Sequence, residues 1–149
     1  MQTLTTPQVL EQFEQRFRDL TPRHTAEWGT MTVHQMVLHI GDATAAVLKR
    51  RPFPPRPAPP SRIAKVVVLR VLRRFPRGVR TRADPAAVPT DSREFETDKS
   101  RTLGLLRELA ESPAHMLETS HPVFGRMSQR DWLRWAYLHT DHHLRQFGA

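Results

Sequence analysis

The sequence predicts an all-α protein, a four-helix bundle with a long crossover between its second and third helices. Three observations predict it. Apolar residues recur at helical spacing in four segments, three of those segments open on capping residues, and a proline- and arginine-rich stretch parts the second from the third. No segment shows the sustained apolar/polar alternation of a half-buried strand.

Thr6-Pro7 reads as an N-cap followed by proline at the first helical position, and Leu10, Phe13, Phe17 and Leu20 then recur at helical spacing until Pro22. In the second helix, Thr32 and Gln35 form a capping-box pattern ahead of an apolar stripe of Met36, Ile40, Ala43 and Val47, running to about Lys49. The crossover occupies 49–91. It begins with Arg51-Pro52-Phe53-Pro54-Pro55-Arg56-Pro57-Ala58-Pro59-Pro60, whose proline density favours an extended, polyproline-like path. A short extra helix fits Ile63 to Phe75, with Ala64, Val67, Val68, Val71, Leu72 and Phe75 on its inner side. A second loop, Pro76 to Asp91, leads into a third bundle helix from Ser92 to Glu111 that turns Phe95, Leu103, Leu106 and Leu109 or Ala110 inward and stops before Pro113. His121-Pro122-Val123-Phe124-Gly125 reads as a turn-like link, and Ser128 with Asp131 caps the last helix, Gln129 to about Phe147.

A length of 149 residues fits one domain, 1–149, able to bury a core. With no cysteine, disulfides, thiolate metal sites, iron–sulfur clusters and cysteine nucleophiles are all excluded. Any metal must be held by nitrogen and oxygen. The N-terminus lacks the basic and apolar regions of a secretory signal, and the longest apolar run falls far short of the ~20 residues that span a bilayer. A cytoplasmic protein is expected. Net charge is +8, yet the twelve Lys and Arg between Lys49 and Arg82 meet no Asp or Glu, while the remainder carries 11 basic against 15 acidic residues.

The chemistry sits at the C-terminal end of the last helix. His139 and His143, four residues apart, share a helix face, and Gln146 follows one turn later. They continue the apolar arc of Trp132, Trp135 and Ala136, with Arg134, Asp141 and Arg145 opposite. On the second helix His39 shares the side of Met36, Ile40 and Ala43, whereas His34 points away with Gly41. One inward histidine is ordinarily a core residue satisfied by a hydrogen bond. Three on two helices each need a partner, which a divalent cation supplies to all of them at once. Three nitrogen ligands would leave a coordination position open, as in catalytic rather than structural zinc. There is no His-Glu-x-x-His. Asp42 and Gln146 are candidates to orient a ligand or touch substrate. His121 is expected to fix its turn, with a substrate role as the alternative, and Trp28, Trp132 and Trp135 are assigned to the core.

Trp28-Gly29-Thr30-Met31-Thr32 leading into Met36-Val37-Leu38-His39, together with His121-Pro122-Val123-Phe124-Gly125 and the closing His139-Thr140-Asp141-His142-His143-Leu144-Arg145-Gln146-Phe147-Gly148, resembles the DinB/YfiT-like superfamily. Within it, the chain is similar to a bacterial family ending in His-x-x-His-His-x-Arg-Gln-Phe-Gly. The resemblance covers both ends and most of the helical chain. It implies an up-down-down-up bundle, often dimeric, holding nickel, zinc or another divalent ion such as iron or manganese through His39, His139 and His143, with His142 at the edge of the site. Members with assigned activity include metal-dependent transferases acting on small thiols and related hydrolases or isomerases; many members have none assigned.

The expected function is therefore a divalent-metal-dependent transferase or hydrolase acting on a small thiol or other acidic molecule, in a homodimer. A non-catalytic, metal-binding and dimerising stress-response module is the alternative. The basic segment 49–82 also admits nucleic acid or an anionic membrane surface. Its arginines alternate with prolines rather than stacking aromatics, which favours a solvated crossover.

Overall fold

The computed structural model describes residues 1–55, 59–77 and 90–149. The expected polyproline path at 56–58 and most of the second crossover loop, 78–89, lie outside the described residues, as do Arg56, Arg80 and Arg82. Among the described residues the regular structure is almost all helical: α1 (Val9–Asp19), α2 (Val33–Val47), a short α3 (Arg62–Val66) running into a π turn (Val67–Val71), α4 (Phe95–Glu111) and α5 (Gln129–Gln146). The bundle is formed by α1, α2, α4 and α5, with α1 and α2 each packing on both α4 and α5. The crossover joins α2 to α4 and lays α3 and its π turn on α5.

The caps at both bundle ends close as read. Thr32 Oγ1 accepts from the Gln35 N–H at 3.2 Å while Gln35 Oε1 accepts from the Thr32 N–H at 2.9 Å. Ser128 and Asp131 exchange the same pair of bonds at the start of α5. At the other end of α5, Gly148 at φ 70° lets the Ala149 N–H return to the Leu144 carbonyl and its own N–H to Arg145, satisfying the last-turn acceptors.

The opening of α1 differs from expectation. Thr6 does not cap it: its hydroxyl accepts from the Thr3 N–H at 2.8 Å, Gln8 adopts a left-handed φ of 68°, and the helix starts at Val9. The turn at 3–6 instead anchors an N-terminal strap, whose Leu4 is fully buried and donates its N–H to Leu133 of α5. At α4, Ser92–Glu94 form a 3₁₀ turn, so the α-helix begins three residues later than expected.

The faces opposite the two apolar stripes are buried as well, because α2 and α5 are central. On α2, His34 packs its ring edge-on against Phe95 and bonds Asp98 Oδ2 at 2.7 Å. Gly41 permits this closeness, since a Cβ there would stand 2.6 Å from Thr102 Oγ1, whose hydroxyl donates to the Val37 carbonyl. On α5, Arg134 donates to Gln2 and Leu72 carbonyls at 2.7 and 2.6 Å, and Asp141 is held between Arg16 and Arg145 at 3.0 and 2.8 Å. Strap, α1 and crossover together cover that side. Helical periodicity alone does not reveal such a cover.

The crossover helix turns differently from expectation as well. The π turn, closed by the Leu72 N–H to the Val67 carbonyl at 3.0 Å, inserts one residue per turn. Leu69 is thereby buried with Val68 and Leu72 partly covered, and Val67 and Val71, expected inward, are exposed. Part of the basic segment is paired among the described residues: Lys65 and Arg70 meet Asp131, Arg50 meets Glu108, Arg51 meets Asp42, and Arg77 meets Glu27 and lies 4.2 Å from the centre of the Trp28 ring. No described helix is long and apolar enough to cross a membrane. The link before α5 is a tight hairpin, Ser120–His121 pairing with Gly125–Arg126, turned by Gly125 at φ 67°.

Candidate metal centre and its cavity

Residues of α2 and α5 meet where both helices turn a histidine inward. His39, His139 and His143 each present one ring nitrogen, and these nitrogens lie within 4.8 Å of one another. The ring centres are 4.7–4.9 Å apart in all three pairs, and His39 Nε2 stands 3.0 Å from His139 Nε2. The i, i+4 spacing on α5 supplies two rings and the facing turn of α2 the third.

Burial sets their protonation. It pushes the His39 imidazole down to about 4, against a smaller opposing pull from the Asp42 carboxylate, and His143 down to about 3, helped by His39. His139 lies well below the ordinary value for the same reason, with four histidine neighbours, His143, His39, His142 and His121, adding to it. All three rings are therefore neutral at pH 7, with lone pairs to offer. His143 is oriented by Gln146, whose Oε1 accepts from Nδ1 at 2.9 Å and so leaves Nε2 as the ligating nitrogen.

Gln146 is itself fixed. Its amide donates to the Trp28 carbonyl at 2.7 Å, and Gly29, at φ 83°, has no Cβ to obstruct it; a Cβ there would stand 2.6 Å from Gln146 Nε2. The Trp-Gly pair ahead of α2 thus shapes a ligand on α5. Replacing Gln146 with Ala should weaken divalent-metal affinity about 10- to 100-fold with little change in helix content, measured by competition against a chromophoric chelator.

The donor set fits a borderline divalent ion. Three neutral nitrogens with no carboxylate among them match zinc-type rather than calcium- or magnesium-type chemistry, and the 3.0 Å His39–His139 spacing approaches the ~3.3 Å that tetrahedral bonds of about 2.0–2.1 Å would give.

The cluster forms one wall of a cavity of about 520 Å³. Trp135, 5% exposed, stacks on His139 with ring centres 4.6 Å apart and an interplanar angle of 12°, so it is a wall of this cavity rather than simply core. Trp132 is core: fully buried, it donates to the Glu118 carbonyl at 2.6 Å and stacks on Phe53. Trp28 is half-buried, its ring between Arg77 and His142, which corrects its assignment to the core. His121 Nδ1 accepts from the Val123 N–H at 3.0 Å, bracing the hairpin, and the ring also lines the cavity. Asp42 is at the rim, ion-paired with Arg51. His142 lies beside the cluster, 5.1 Å from His143 between ring centres, and its buried Nδ1 has no partner among the described residues. The crossover wall, made by Val68, Leu72 and Phe75, carries no motif that sequence reasoning could have attached to a site.

The sequence matches the family model of the DinB superfamily over residues 2–147. The chain belongs to the DinB superfamily. No curated protein and no solved structure gives a significant match. Membership and histidine cluster agree, since helical proteins of this superfamily often bind metal and the described residues bring three histidines together.

The neutral, buried rings of this DinB protein carry a pH consequence. Their folded-state values lie below the usual ~6.5, so the unfolded chain binds more protons in acid and stability falls as pH drops from about 6.5 toward 3. For His39 alone, with its value at about 4, the loss between pH 7.5 and 5 is on the order of 2 kcal/mol. Urea midpoints of metal-free protein at the two pH values should show it, and H39F should flatten the slope.

Proposed function

We propose that this DinB protein is a divalent-metal-dependent enzyme acting on a small molecule, with His39, His139 and His143 as ligands. The observation that carries the reading is the convergence of three neutral ring nitrogens on the wall of a closed-in cavity. Zinc or nickel suits three imidazoles best. An ion there would supply Lewis-acid activation of a thiol or water at its open position, consistent with a small-molecule transferase or hydrolase.

The protein's own residues do the rest. Gln146 holds the His143 tautomer, Trp135 fixes the plane of His139 by stacking, and the surrounding apolar side chains exclude bulk water. The His142 ring stands beside His143 at the edge of the cluster and lines the cavity.

The test is metal content followed by ligand exchange. Protein purified without a metal-affinity column should carry one divalent ion per chain, and a cobalt-substituted sample should change its visible spectrum when a thiol is added. A metal-free protein of unchanged stability would sink the reading. Bound metal whose cobalt spectrum ignores thiols and other small ligands would favour the non-catalytic module instead.

A further inference from the structure

The crossover closes over the histidines with side chains of one chemical kind. From the bundle, Ala43 and Ala46 of α2 and Trp135 of α5 face the cavity; from the crossover, Val68, Leu72 and Phe75 face it. Its volume of about 520 Å³ lies in the range of small-molecule pockets. Among the lining residues the charged side chains are Asp42 and Arg51, and these two neutralise one another at the rim.

Three cations of the crossover are held outside the cavity: Lys65 and Arg70 serve Asp131, and Arg77 serves Glu27 and the Trp28 ring. Among the described residues that line the cavity the one cation, Arg51, already has its acid, so a substrate bearing several carboxylates would give up hydration with little there to replace it, which is costly. An apolar body gains on the same transfer, about 25 cal/mol for each Å² removed from water. The three-histidine cluster gathers ring nitrogens on one wall of this lining.

We propose that the cavity selects an uncharged, apolar-bodied molecule, aryl or alkyl, whose single polar head reaches the three-histidine cluster. This deepens the metal-dependent reading of the same site and rests on it for the head; the apolar body stands on the cavity lining alone. Val68 and Ala43 are then residues that determine specificity from opposite walls.

Two measurements separate the head from the body. In metal-free protein, the neutral fluorophore N-phenyl-1-naphthylamine should brighten on binding, and V68D and A43F should each weaken it at least tenfold. In cobalt-loaded protein, 3-phenylpropanethiol should perturb the visible spectrum at concentrations at least tenfold lower than glutathione, a thiol that carries carboxylates. V68D should erase that preference while retaining its cobalt. Glutathione binding as tightly as the phenyl thiol, or fluorophore binding indifferent to both pocket variants, would overturn the inference. Fluorophore binding by a protein that takes up no cobalt would leave the apolar pocket standing and remove the metal reading.

Discussion

His39→Ala and His143→Ala should each reduce bound divalent metal from the expected one ion per chain to less than a tenth, whereas His142→Ala should leave it unchanged. The difference follows from position. His39 and His143 contribute ring nitrogens to the cluster from two different helices, while His142, next to His143 in sequence, lies outside the set of convergent nitrogens. Loss of a residue that merely orients a ligand costs about 10- to 100-fold in affinity, so loss of one of three ligands should exceed ~100-fold. Elemental analysis after dialysis against a weak chelator reads the outcome. The alanine variants also remove a neutral imidazole from a buried place, so their metal-free forms should resist acid better than the parent. A variant that keeps its metal would mean that the rings are paired core histidines, as the 3.0 Å His39–His139 contact allows if one ring donates to the other.

How much of this was legible in the sequence depends on which side of a helix a residue occupies. His39 and the His139–His143 pair were readable because they continue apolar stripes, and a stripe needs only local periodicity. The partners of His34 and Asp141 were not legible for the same reason: these residues stand opposite a stripe, and only the packed bundle reveals a second neighbour on that side, α4 against His34 and α1 with Arg16 against Asp141. The cap residues Thr32 and Ser128 act within four residues of themselves and were fully legible. Thr6 was not, since the buried Leu4 pulls the preceding chain into a strap on α5 and displaces the helix start. The cavity was the least legible feature. Its crossover wall is assembled from a π turn whose register no apolar repeat encodes, and the acidic partner that turns that segment's charge inward lies some sixty residues further along the chain.

That partner carries the second large effect: Asp131→Ala should destabilise the protein by about 3 kcal/mol and loosen the wall of the cavity. Asp131 is 3% exposed and serves two structures at once. Its Oδ2 accepts the Ser128 N–H at 3.0 Å in the cap of α5, worth about 1 kcal/mol, and its carboxylate receives Lys65 at 2.7 Å and Arg70 at 2.8 Å from the crossover helix. Lys65 and Arg70 keep part of their hydration, so removing the acid costs less than stranding a fully buried charge. Burial raises the Asp131 carboxyl, but the Lys65 and Ser128 hydrogen bonds outweigh it and hold the value below the usual carboxylate range. A lowered carboxyl contributes its stability above about pH 4 and loses it as pH falls through the folded-state value. The gap between parent and Asp131→Ala should therefore be full at pH 7 and shrink toward pH 3, a trend that urea titrations at several pH values would show. Asp131→Asn, which keeps an oxygen for the cap and drops the charge, should fall between the two. Because Val68 and Leu72 ride on the tethered segment, trypsin should cut at Lys65 and Arg70 faster in Asp131→Ala while metal content stays at one ion per chain. An unchanged cleavage rate would show that apolar packing of Leu69 alone holds the crossover on α5.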